Sequence, residues 1–304
     1  MTRQMPSLTI DLGFPRFGGA NIRTWIGFKH LFSLAEEAVL IWFREKALGP
    51  QRLYHDFGLG LDIVQASGQC LAAVEIDDRV AAEVAPQEAG YFVVRLVAER
   101  AGKVTNLFRG RIRIELVREV PGGPLTAFAD GPARGMETII VDRIRPNGAA
   151  PMSEVKEPDI GVGGNAFRWD WRARYFHCHY SRRVQHSSYV LALEEVVERF
   201  LAGRGISVGR MLEEKGLIPV VSRARIDLCA DAFMEETIET EFRLTDILRD
   251  RAWEAEMSCY VRRAGGRFET ARAGILHAYA HVRGPAIGRV AELDQETLAA
   301  LGRK

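Results

Sequence analysis

The chain has 304 residues, of which 47% are hydrophobic and 27% charged, and its 41 Lys and Arg stand against 40 Asp and Glu. That balance supplies a sizeable core for one large or two medium domains, and it leaves no global field to draw in nucleic acid or an anionic membrane surface. The four cysteines, Cys70, Cys178, Cys229 and Cys259, lie far apart without a CxxC spacing, which argues against a disulfide framework or a zinc ribbon.

In chain order, residues 1–10 hold no apolar run long enough for a secretory leader, and no stretch of about 18 apolar residues follows. A cytoplasmic protein without membrane insertion is expected. A helix is predicted around residues 33–39, carrying Glu36, followed by a Gly-containing loop and strands near 62–73, 91–98 and 108–117. Residues 121–164 then hold six of the twelve prolines and eight glycines and read as a connector, in which the apolar run at 138–141 is long enough to add a strand to either neighbour.

Beyond the connector the order repeats. Residues 191–197 match 33–39 in pattern, with Glu194 opposite Glu36 at an offset of about 158, and strands near 220–228, 237–244 and 268–280 answer those of the first half. In the second half Ile238, Thr240, Phe242 and Leu244 alternate with charged residues, and Trp253, Ala255, Met257, Cys259 and Val261 do the same, so one sheet face is buried and the other wet. Each half therefore reads as a strand, one long helix and several strands with no helix between them. This excludes a parallel βαβ sheet and favours an antiparallel sheet carrying one helix.

From residue 187 to 201, Tyr189, Val190, Leu193, Val196, Val197, Phe200 and Leu201 fall on one helical arc. Glu195 lies opposite that arc, whereas Glu194 lies on its flank, where partial desolvation would raise a carboxylate towards the range of a general base.

The stretch from Arg174 to Glu195, RYFHCHYSRRVQHSSYVLALEE, resembles the signature of the 4-hydroxybenzoyl-CoA thioesterase-like hotdog family, in which a loop leads into a helix that opens with Tyr and carries Glu five residues later. Val184, Tyr189 and Glu194 match, and residues 205–228 resemble the loop and strand that follow. The resemblance covers about 110 residues of the second half and reaches the first half mainly through the repeat. It implies an α+β double hotdog: two antiparallel sheets, or one continuous sheet, each wrapping a long central helix. Expected boundaries are 1–120 for the first hotdog, 121–165 for the connector and 166–304 for the second. Residues 22–118 and 172–281 should superpose as one topology about a pseudo-twofold axis.

In that family the strand before the loop ends in an acidic residue and the loop often reads Gly-His-Val-Asn-Asn; here the acid falls on His179, the Gly-His on Arg182 and Arg183, and the Asn-Asn on Gln185 and His186. Without the acid, the resemblance implies the route in which a helix glutamate is base or nucleophile, a role for Glu194, with Gln185 or His186 orienting water or the carbonyl. Backbone N–H groups near Ser187 and Tyr189 would polarise the thioester carbonyl. Arg182 and Arg183 are expected to hold the phosphates of coenzyme A or of a phosphopantetheine arm. In the first half Asn21, Thr24, Trp25 and Phe28 occupy the aligned loop, Lys29 and His30 enter the helix, and that half is expected to be chiefly a wall of the acyl pocket.

His177 and His179 point the same way on an extended segment, but no third zinc ligand stands at a recognisable spacing, and they read as a polar wall of the pocket. The glycines at 161–164 lack the strand and helix of a dinucleotide site, and no Gly-x-Ser-x-Gly elbow is present. Neither a metal nor a cofactor is expected. The leading reading is an acyl thioester hydrolase acting on acyl-CoA or acyl carrier protein, as a monomer or homodimer. The alternatives are a hotdog dehydratase using His179 or His186 against Glu194, an acyltransferase or decarboxylase on the same fold, and a non-catalytic acyl-binding protein.

Overall fold

The computed structural model describes residues 7–121, 136–144 and 164–303. The first half contains β1 (Leu8–Gly13), α1 (Phe28–Glu45), α2 (Pro50–Phe57), β2 (Leu59–Cys70), β3 (Val80–Pro86), β4 (Tyr91–Arg100) and β5 (Lys103–Arg118). A short β6 (Ile140–Val141) precedes the second half, which contains β7 (Ala166–Arg172), α3 (His186–Gly203), β8 (Leu217–Leu228), β9 (Thr237–Leu248), β10 (Ala252–Arg263), β11 (Gly266–His281) and α4 (Gln295–Ala300).

Among the described residues the strands form one sheet in the order β1-β3-β4-β5-β2-β8-β11-β10-β9-β7, and the two halves join where β2 pairs antiparallel with β8. β8 begins and ends 158 positions after β2, and Ser67 pairs with Arg225, its own counterpart at that offset. Strand order reads the same outward from this pair, so a pseudo-twofold axis passes between Ser67 and Arg225. The expected single continuous sheet is present, and the architecture is a double hotdog.

The repeat pairs the outer strands differently from the sequence pattern, which matches residues 91–98 with 237–244. By position in the sheet β3 answers β9 and β4 answers β10. The strand that the pattern omits is β3, whose Val-Ala-Ala-Glu-Val-Ala stretch is rich in alanine, a residue depleted in strands, and gives a weak signal. The connector falls mostly outside the described residues. Of its apolar run, Ile140 and Val141 pair parallel with Leu116 and Val117 of β5, so the extra strand goes to the first half.

Burial follows the amphipathic patterns. All seven apolar residues of the predicted arc of α3 are buried. In α1 no residue from Leu34 to Phe43 is exposed, because sheet and helix enclose it on nearly every side. Trp42 is fully buried with its ring edge-on to Phe43 and Phe92 at 5.2 and 5.0 Å, and truncating such a residue to Ala typically costs about 3–5 kcal/mol. In β9 the alternation holds except at Glu239, which is buried rather than wet because Arg267 and Arg168 donate to it at 2.8 and 3.0 Å. A buried carboxylate persists when its lone pairs are filled in this way.

Candidate active site

Two contacts fix how the helices meet. Lys29 Nζ, in the first turn of α1, donates to Glu194 Oε2 at 2.5 Å, and His186 Nδ1, at the start of α3, hydrogen-bonds Glu36 Oε1 at 2.8 Å. As the first helix advances from 29 to 36, its partner retreats from 194 to 186, so the helices are antiparallel. Each helix start faces the middle of the other.

The loops entering the helices repeat this symmetry. Trp25 bridges Glu75 as Arg183 bridges Phe233, and Ile26 N–H donates to Val74 as Val184 N–H donates to Ala232, all at an offset of 158. One topology therefore builds two equivalent places, one at Glu194 and one at Glu36.

The place at Glu194 is hollow. A cavity of about 700 Å3 lies at the junction of the halves, bordered by Gly27, Phe28 and Lys29 from the first half and by Glu194, Val197 and Leu201 from α3. β8 and β11 supply another wall through Val220, Ile275 and His277, and Trp25 and Ala73 from the loops of the first half also line it. Glu194 and Lys29 are about a quarter and a third exposed at their side chains, so their ion pair sits at the boundary between the cavity and solvent. Gly27 caps α1 without a side-chain acceptor, and this helix start, with Phe28 and Lys29, borders the cavity. Glu198, one turn beyond Glu194 and also on the cavity wall, is held above the usual carboxylate range by burial and then by the charges of Glu194 and Glu195.

The place at Glu36 is filled. Val220 of the cavity wall is replaced by Asp62, Trp25 by Arg183 and Ala73 by Asp231 at the same offset, and these polar residues collapse into a buried cluster. Arg183 Nε lies 3.2 Å from Asp62, its Nη1 donates to Asp231 at 3.1 Å and its Nη2 pairs with Glu119, with every side chain under a tenth exposed. Burial raises Asp62 against the pull of Arg183. What remains open there is a pocket of about 240 Å3 between the helices, bordered by Glu36, Ser33 and Ser187.

These facts redistribute the expected site. Glu194 does reach a cavity between the halves, but Gln185, His186 and Ser187 belong to the Glu36 side. His186 stands eight residues before Glu194 on one helix, a rise of about 12 Å, so it cannot share a substrate atom with it. The helix start that meets Glu194 is that of α1, through the Lys29 side chain, and not that of α3. Tyr189 is a core residue, 1% exposed and edge-on to Trp171 at 6.1 Å, rather than a substrate contact. Arg183 is a core cation held by three carboxylates and is closed to phosphate.

Arg182 and His179 are exposed in the loop before α3. The His179 carbonyl accepts from Gln185 Nε2 at 3.4 Å, and neither residue borders the 700 Å3 cavity. His177 Nδ1 accepts from Arg174 N–H at 2.8 Å and its ring packs on Trp171. Among the described residues no group of three or more His, Cys, Asp or Glu is placed to hold a metal ion, and no helix is long and apolar enough to cross a membrane. Sequence reasoning misses Lys29 as a partner of Glu194, and it misses Glu198. For Glu198 a signal exists, because it stands four residues from Glu194 on the same flank of the helix.

Residues 167–301 match the family profile of the thioesterase-like superfamily. No curated protein matches the chain by sequence. The fold is similar to that of a 12:0-ACP thioesterase from Umbellularia californica, with a TM-score of 0.57 and 10% identity over 90% of this chain and 94% of the other. It is also similar to a protein described as an oleoyl thioesterase from Lactobacillus plantarum, with a TM-score of 0.55 and 12% identity over 90% and 95%. An acyl-ACP thioesterase from Bacteroides thetaiotaomicron gives a TM-score of 0.53 and 8% identity over 90% and 97%. These likenesses span both halves and show a shared double-hotdog fold.

Proposed function

We propose that this double-hotdog chain, thioesterase-like in its second half, hydrolyses acyl thioesters of coenzyme A or acyl carrier protein at the junction cavity, with Glu194 as base or nucleophile. The single observation that carries the reading is the convergence of a carboxylate, an uncapped helix start and a 700 Å3 cavity at one point between the halves. A cavity of that volume lies within the range that encloses small-molecule ligands.

In this arrangement the N–H groups of Phe28 and Lys29 donate to the thioester carbonyl oxygen, where negative charge grows as the tetrahedral intermediate forms. Glu194 takes a proton from the attacking water and returns it to the departing thiolate. In the nucleophilic route it attacks the carbonyl carbon itself, and the C–S bond breaks to release the thiolate, which takes a proton from water. A second water then cleaves the resulting acyl anhydride to free the acid and restore the carboxylate. Lys29 pins the carboxylate to the cavity side and adds positive charge beside the developing oxyanion. Glu198, whose proton is held more tightly than that of an ordinary glutamate, is the second acid at hand.

The test is a panel of acyl-CoA and acyl carrier protein thioesters with free thiol and product mass followed together. Release of thiol and free acid supports the reading, and thiol-free loss of water from 3-hydroxyacyl thioesters overturns it. That second outcome would assign dehydration to the His186–Glu36 pair, which also joins an imidazole to a carboxylate across the two halves. Binding without any turnover would leave an acyl-binding protein.

A further inference from the structure

One wall of the junction cavity includes His277, which belongs to a buried cluster of polar side chains left without partners among the described residues. Trp253 of β10 and His277 of β11 are direct cross-strand partners, their rings stacked 4.2 Å apart at 22°, and the Tyr279 ring stands edge-on to His277 at 5.3 Å. All three residues are at most 1% exposed. Among the described residues His277 Nδ1, Trp253 Nε1 and Tyr279 Oη have no hydrogen-bond partner. His277 borders the cavity itself, while Trp253 and Tyr279 back and flank its ring.

Such a cluster is costly to keep. A buried polar group without a partner destabilises the fold, and of the three only His277 borders the cavity, so it is the imidazole that an occupant can satisfy. The same wall is largely apolar, through Val220, Ile275 and Ala278, and its Ser222 hydroxyl is spent on the Leu276 carbonyl at 3.4 Å. An imidazole here serves as neutral donor and acceptor, because burial pushes His277 down to about 3.

We propose that His277, with Trp253 and Tyr279 behind it, selects acyl groups that carry a hydrogen-bonding oxygen, a hydroxyl or keto substituent on the chain, over plain hydrocarbon acyl groups. The proposal rests on the junction cavity being the acyl site. The oxygenated substituent satisfies the imidazole, whereas a plain chain in the same place leaves it desolvated and unpaired. A site built around a polar group discriminates in this direction far better than an apolar pocket does.

The experiment compares acyl thioesters matched in length, with and without one hydroxyl or keto group at successive chain positions, by kcat/KM. In parallel, equilibrium binding of the matching non-hydrolysable thioether analogues is measured by calorimetry. Wild type should favour the oxygenated member at one position by at least about tenfold. His277→Phe, which keeps the stack on Trp253, should reverse the preference, and His277→Gln, which keeps a donor and an acceptor, should retain it. Thermal melts of both variants confirm folding.

Equal kcat/KM and equal affinity at every position, or an unchanged preference in folded His277→Phe, overturns the proposal. Hydrolysis without preference would overturn selection by His277 and leave thioester hydrolysis standing. Preferential binding of oxygenated analogues without hydrolysis would do the reverse. Should His277→Phe fail to fold, His277→Leu supplies the test. It deletes the imidazole donor and acceptor and should abolish the preference, and an unchanged preference in that folded variant overturns the proposal.

Discussion

Lys29 and Glu194 are 165 residues apart in sequence, yet their side chains meet at 2.5 Å, joining the first turn of one helix to the middle of the other. The pair exists only because the halves are related by an antiparallel crossing of α1 and α3. It sets the geometry on which the first two predictions rest.

Glu194→Gln keeps the shape of the side chain and removes the proton acceptor. Turnover of the best acyl thioester should fall by about 10²-fold or more with the melting temperature close to wild type. Glu195→Gln is the control, since Glu195 is half exposed and bonded to Arg199, one turn away, at 2.7 Å. Loss of a surface pair of this kind costs well under about 1 kcal/mol and should leave kcat intact. Matching rates in Glu194→Gln and wild type would remove the carboxylate from the chemistry.

Lys29→Met deletes the ammonium and keeps the aliphatic stem. A charge-assisted hydrogen bond is worth about 1.5–3 kcal/mol, so kcat should drop about tenfold or more while KM changes little. Lys29→Arg restores the charge with a different shape and should recover part of the loss. A purely structural lysine would instead lower the melting temperature and leave kcat of the folded fraction unchanged, which stability and kinetic measurements on one preparation distinguish.

Local periodicity carries the parts of the molecule that local physics decides. The arc of Tyr189, Leu193, Val196 and Phe200 is legible because a helix wrapped by a sheet must bury one stripe, and the alternation through Trp253, Ala255 and Met257 is legible because a sheet with one wet face must alternate. The place of Glu194 on the flank of α3 follows from the same wheel. What crosses between the halves is not legible. That His186 meets Glu36 instead of Glu194 depends on the register of two helices, and that Arg183 is neutralised depends on Asp62, Glu119 and Asp231, which no spacing brings together before the sheet is closed.

Arg183 is therefore predicted to serve stability. Arg183→Met removes a cation that contacts three buried carboxylates and leaves uncompensated charge, a change that costs about 3–5 kcal/mol. Chemical denaturation should show it, and the surviving folded protein should bind coenzyme A as wild type does. Weakened coenzyme A binding at full stability would return Arg183 to the role of a phosphate clamp.

Asp294 gives a prediction in pH. It caps α4 by accepting from Thr297 N–H at 2.9 Å and receives Lys215 Nζ at 2.8 and 3.0 Å. Burial acts to raise its carboxyl, but the hydrogen bonds from Lys215 and Thr297 prevail and hold it at about 2. A carboxyl lowered in the folded state below its ordinary 3.8 contributes stability that is fully present above that value and is lost as pH falls towards 2. The side chain is 53% exposed, so solvent screens the pairing with Lys215, and the cap itself, about 1 kcal/mol, sets the scale. Asp294→Ala should lower the melting temperature by a few degrees at pH 7. The gap between wild type and variant should narrow steadily between about pH 4 and pH 2, because the protonated carboxyl no longer accepts from both Lys215 and Thr297. Melting curves across that range decide it: a gap that stays constant down to the acid limit would mean that the carboxylate form of Asp294 contributes nothing to holding α4.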